Sequence, residues 1–127
     1  MRVIGKLFSG MGAGEEYLSK EPYQERFKQI LGYKPFPGTL NIRLEEEDQI
    51  KKIRSREHKR LDGFEHGETE YSGMDIYICE IMGVEAAYLD LDVTDYGDEV
   101  VEIVAPIELR EFLDVEDGDE LEIEFEE

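Results

Sequence analysis

VVEIVAPIELREFLDVEDGDELEIEF, residues 100–125, sets a strand, a short helix, a tight turn and a second strand in close succession. Residues 100–105 are apolar except at Glu102 and read as a strand. Pro106 then opens a short helix over 107–113. Asp117-Gly118 marks a tight turn. Over 120–125 the chain alternates, with Leu121, Ile123 and Phe125 on the inward face. Just upstream, residues 74–82 and 85–93 read as two further strands about a turn at Gly83, and 94–98 as a loop containing Gly97. Most of these strand-to-strand gaps are too short for the crossover helix that parallel strands require. The pattern predicts a mainly β protein, a small closed barrel with short helices, rather than a βαβ sheet.

The first half fits the same reading. Residues 2–8 form a strand and 9–15, SGMGAGE, a glycine loop. Residues 22–31 are the clearest helix. Pro22 suits its first turn, Tyr23, Phe27, Ile30 and Leu31 share one face, and Gly32 stands at the C-terminal stop. Pro35, Pro37 and Gly38 shape the loop that follows. In the strand over 39–44, Leu40, Ile42 and Leu44 alternate with Thr39, Asn41 and Arg43. Residues 45–73 are polar, and the run KKIRSREHKR within them reads as either a short helix or a charged loop.

Composition bounds the function. The chain has 127 residues and one cysteine, Cys79, so an intrachain disulfide framework and a cysteine-based zinc site are excluded. There is no apolar run of membrane length and no leader-like apolar segment, so a soluble, cytoplasmic protein is expected. The net charge is −19, unevenly spread. Residues 1–60 carry 13 Lys+Arg against 9 Asp+Glu, whereas residues 61–127 carry 24 Asp+Glu and a single cation, Arg110. Such a surface repels nucleic acid and leans toward a monomer. It also resembles the surfaces of proteins from a salt-rich cytoplasm, where screening relieves self-repulsion.

Two features could carry chemistry. Gly10, Gly12 and Gly14 allow consecutive backbone N–H groups to converge on an anion. The spacing is neither a P-loop, since no Lys-Ser/Thr follows, nor a dinucleotide fingerprint, so the alternative is a flexible turn. Thr39 and Asn41, two apart on a strand, point to one face. Their side-chain oxygens are hard donors of the kind Mg²⁺ takes while leaning on substrate phosphates. The alternative is an ordinary solvent-facing strand.

The run SGMGAGEEYLSKEPYQERFKQILGYKPFPGTLNIRL resembles the N-terminal half of the archaeal CTP-dependent riboflavin kinases. That family shows an S-G-x-G-x-G loop and a P-[YF]-x-G-T-L-N-[IL] block. The closing segment is similar too, with its E-I-[IV]-A-P…L-R and D-G-D elements. The match covers about residues 5–48 and 88–125. The resemblance implies one domain over 1–127, a closed six-stranded cradle-loop (RIFT-like) barrel. It also implies transfer of the CTP γ-phosphoryl to the 5′-hydroxyl of riboflavin, giving FMN and CDP with Mg²⁺ as cofactor. On the family pattern, nucleotide contacts fall on Gly10, Met11, Gly12, Ala13, Gly14 and Glu15, and on Ile107, Glu108, Leu109 and Arg110. Mg²⁺ ligands fall on Thr39 and Asn41, similar to the Thr and Asn of the PTAN motif of bacterial and eukaryotic riboflavin kinases. Flavin contacts fall on Thr94 and Glu102. Ala13 departs from the family's Glu; backbone donors survive that change, but a side-chain role at the base or ribose does not.

Glu102 interrupts an apolar strand and stands either on a solvent face or in a ligand pocket, where it could orient the ribityl hydroxyl or accept its proton. His58 and His66 read as solvated, Cys79 as core, and residues 51–60 as a solvated basic face. The alternatives to a kinase are a non-catalytic nucleotide- or flavin-binding barrel and, against the charge balance, a DNA-binding regulator.

Overall fold

The computed structural model describes residues 1–9, 18–46, 48–93, 97 and 99–126. Its frame is β1 (Arg2–Phe8), β2 (Leu40–Leu44), β6 (Met74–Ile81), β7 (Val84–Leu91), β8 (Val100–Val104) and β9 (Glu120–Phe125). These strands hydrogen-bond in the order β6-β7-β8-β2-β1-β9, and β9 pairs back onto β6 to close the ring. Every pairing is antiparallel. The closed six-stranded barrel expected from the sequence is therefore present.

Closure depends on β6, whose eight residues are long enough to serve two partners along one edge. Its second half pairs with β9 through Cys79–Phe125, Glu80–Glu124 and Ile81–Ile123. Its first half takes the short strand β3 (Lys59–Leu61). A small hairpin of β4 (Phe64–His66) and β5 (Thr69–Tyr71) lies between them in sequence. Residues 45–73, unassigned from the sequence, thus hold three short strands and a helix, α2 (Asp48–Arg54), which buries Ile50 and Ile53.

Alternation along the strands produces two cores. Inside the barrel, Val3, Leu7, Leu40, Ile42, Val101, Ile103, Leu121, Ile123 and Phe125 pack with Tyr77, Cys79 and Tyr88. Burial pushes the Cys79 thiol well above its ordinary pKa, as expected of a core cysteine. Gly5 on β1 is required by close packing, because a Cβ there would lie 2.5 Å from Ile42 Cγ2 and 2.6 Å from the Arg43 carbonyl oxygen.

The second core lies on the outer surface, where α1 (Glu21–Leu31) covers the sheet. Tyr23 and Phe27, both fully buried, pack with Met74, Ile76, Ala87, Leu89 and Val104. Burying each ring contributes about 2–3 kcal/mol. The Tyr23 hydroxyl donates to the Ser72 carbonyl at 2.6 Å. Gly32 ends the helix in the left-handed region, at φ 86°, and its N–H bonds the Lys28 carbonyl. The helix expected over 107–113 is shorter, α3 (Leu109–Phe112), with Glu108 before it extended.

The basic run is largely exposed, and two of its cations are ion-paired. Arg54 meets Asp90 at 3.2 Å, and Arg60 meets Asp62, Asp75 and Asp92, the last at 2.6 Å. His66 is exposed. His58 is also at the surface, but its ring packs on Tyr77 at 4.9 Å between centroids.

Candidate active site

Strand register places two of the expected residues side by side. Phe8 on β1, Asn41 on β2 and Glu102 on β8 stand in one row across three neighbouring strands. Because Ile42 and Val101 point into the barrel, Asn41 and Glu102 point outward. An outward polar pair on a bare barrel would be wet. Here Asn41 is 7% and Glu102 8% exposed, so this part of the outer face is covered. The solvent-facing alternative for both residues is thereby set aside.

Thr39 stands just before β2, and its hydroxyl donates to Asn41 Oδ1 at 3.2 Å. Arg43, the third residue of that alternating set, goes elsewhere. It is exposed, pairs with Glu99 at 2.7 Å and lies over the Phe8 ring.

A cleft of about 300 Å³ opens at the end of β8. Thr39 and the loop before it, including Phe36, form one wall, and Ile107, Glu108, Leu109 and Arg110 form the other. The two walls are tied where the Phe36 N–H donates to the Ala105 carbonyl at 2.8 Å. Asn41 and Glu102 lie one register step behind Leu40 and Ile103, which line its floor. Thr39 and residues 107–110, with the Glu108 carboxylate and the Arg110 guanidinium among them, line this cleft, whereas Asn41 and Glu102 stand next to its lining strands without lining it.

The remaining expected contacts, Gly10, Met11, Gly12, Ala13, Gly14, Glu15 and Thr94, lie outside the described residues. The point at which the glycine segment leaves the barrel is described. Ser9 follows Phe8, the strand neighbour of Asn41, and its hydroxyl donates to Asp117 Oδ2. Asp117 Oδ1 in turn meets Arg110 Nη1 at 2.9 Å. The Ser9 hydroxyl, and then Arg110, hold the Asp117 carboxyl below the usual carboxylate range. In the sequence Asp117 carries only a turn signal, and Phe36 stands in the block that leads to Thr39 without a side-chain signal of its own.

The described residues thus form a closed six-stranded barrel that carries a hydroxyl, an amide, carboxylates and a guanidinium at and next to one cleft. Residues 7–125 match the family model CTP-dep_RFKase, described as domain of unknown function DUF120, and the chain belongs to that family. Similar proteins carry the name riboflavin kinase. That of Thermofilum pendens is 41% identical over 127 residues, covering 94% of this chain and 56% of its own length. That of Archaeoglobus fulgidus is 34% identical over 126 residues, covering 98% and 54%. That of Methanosarcina acetivorans is 37% identical over 123 residues, covering 95% and 52%. The chain spans about half the length of the curated relatives it matches.

Proposed function

We propose that this chain is a CTP-dependent riboflavin kinase, transferring the γ-phosphoryl of CTP to the riboflavin 5′-hydroxyl to give FMN and CDP. The observation that carries the reading is the junction of the Thr39 loop and the 107–110 segment at one cleft, with Glu102 and Asn41 facing each other one register position from its lining. Phosphoryl transfer needs positioning and charge stabilisation more than covalent chemistry, and these residues are suited to both.

Thr39 and Asn41 fit a hard cation such as Mg²⁺, since their side-chain oxygens lie 3.2 Å apart and both are neutral. Among the described residues no group of three or more His, Cys, Asp or Glu gathers into a cage. That suits an ion which completes its shell with phosphate and water. When bound, such an ion would offset the charge of the phosphates. Arg110 supplies a permanent positive charge at the cleft wall and binds phosphate oxygens. Glu102, shielded from water, accepts the proton of the ribityl hydroxyl or orients it for attack. Backbone N–H groups of residues 10–15 and the Thr94 hydroxyl complete the nucleotide and flavin contacts. The described residues include no helix long and apolar enough to cross a membrane. With the charge of residues 61–127 opposing self-association, we read the working unit as a monomer.

The test is FMN formation by chromatography, from riboflavin and Mg²⁺ with either CTP or ATP, at low and high KCl. FMN with CDP is the expected outcome, and the ATP arm settles the donor. Folded protein that binds nucleotide or flavin but forms no FMN would make the chain a binding barrel instead.

A further inference from the structure

We propose that Asp117 is a positioning residue. It aims the Arg110 guanidinium along the cleft wall and couples that aim to the foot of the glycine segment through Ser9. It does so for the reaction only if Arg110 contacts the nucleotide, as read above.

Arg110 is the single cation among the 24 carboxylates of residues 61–127. Its ion-pair partner among the described residues is Asp117, which is itself held in place. Its Oδ2 is occupied by the Ser9 hydroxyl, which leaves Oδ1 for Arg110 Nη1 at 2.9 Å. The turn that carries it is locked onto β1 by Gly118 N–H to the Leu7 carbonyl, 2.8 Å, and Leu7 N–H to the Asp119 carbonyl, 2.9 Å. The Asp117 side chain is not what forms that turn. Asp119 performs that task, its Oδ2 accepting from the Glu116 N–H at 2.8 Å. Asp117 therefore connects three separate pieces of the site: the end of β1 at Ser9, the closing turn and the cleft wall. The pair engages one guanidinium nitrogen and leaves further N–H donors of the fork for a phosphate. Bidentate phosphate binding depends on the fork's direction, so losing its anchor weakens it without removing the charge.

The test is a double-mutant cycle of Asp117→Asn and Arg110→Ala, read by calorimetric titration with CTP and by steady-state kinetics. Asp117→Asn is expected to weaken CTP about 3- to 10-fold. The riboflavin KM should be unchanged and Tm should move by less than ~2 °C. In the Arg110→Ala background the same change should have no further effect. Full-strength CTP binding by Asp117→Asn, or an equal loss in both backgrounds, would overturn the assignment while leaving the kinase reading intact. Folded wild-type protein that binds no nucleoside triphosphate would overturn both.

Discussion

Replacing Glu102 with Gln keeps the side chain's volume and removes its charge and basicity. Glu102 is 8% exposed and stands directly across from Asn41, itself 7% exposed and bonded to Thr39. Three roles for that carboxylate give three separate magnitudes. As a proton acceptor it contributes about 10²- to 10⁴-fold, so turnover should fall by at least ~100-fold, or ~2.7 kcal/mol on the barrier. CTP affinity should then change by less than about threefold, because the phosphate contacts are elsewhere. As a purely structural group, its loss would cost about 1–3 kcal/mol of stability. For a chain of this size that lowers Tm by roughly 3–5 °C per kcal/mol. As a surface carboxylate it would change neither property measurably. The assay pairs single-turnover FMN formation across pH with CTP titration and thermal melting of the same preparation. The expected result is a large loss of rate, near-wild-type CTP binding and a Tm within a few degrees. Unchanged turnover would remove Glu102 from the chemistry, and a fall in Tm that accounts for the lost activity would assign it to the fold.

Gly5→Ala should destabilise the barrel by about 1–3 kcal/mol in urea unfolding, since the new methyl would meet Ile42 Cγ2 and the Arg43 carbonyl oxygen at 2.5–2.6 Å. The Arg60 guanidinium holds the Asp92 carboxyl below its ordinary range. A depressed carboxylate adds stability above its unfolded pKa, near 3.8, and loses it as pH falls through the lower folded value. Arg60→Ala should therefore lower stability at pH 7 by less than about 1 kcal/mol, with the difference from wild type vanishing in acid, as followed by denaturant melts across pH. Raising KCl from about 0.1 to about 1 M shortens the screening length from ~10 to ~3 Å. With a net charge of −19 the melting temperature should rise by ~5 °C, and a flat or falling curve would count against self-repulsion as a destabilising force.

The barrel was legible because β2 and β9 alternate, β8 is an apolar run, and most of the gaps from β6 onward are short. Residues 45–73 were not, for a physical reason. Strands β3, β4 and β5 have three residues each, too few to display a period, and α2 buries only Ile50 and Ile53 within a charged run. The site divides similarly. Thr39 and Asn41 were legible as a same-face oxygen pair. Alternation alone could not tell whether the outward face bearing Asn41 and Glu102 was wet or covered, since that depends on what packs over it. The part played by Asp117 was invisible because its partner Ser9 is 108 residues away, joined to it only when β1 and β9 pair.

The double edge of β6 governs the order in which this chain can fold. β9 follows the other five strands of the ring in sequence, and its pairing with both β1 and β6 closes the ring. Until residues 120–125 leave the ribosome the ring is an open sheet. It then has two unsatisfied borders, one on β1 and one on the second half of β6, each a template for pairing with another chain. Closure is then the longest-range event in folding, bringing Phe125 beside Met1, whose carbonyl accepts its N–H at 2.8 Å. A chain stalled or cut just before Glu120 would keep most of its sequence yet lack the seam, and aggregation rather than partial activity is the fate that geometry assigns to it.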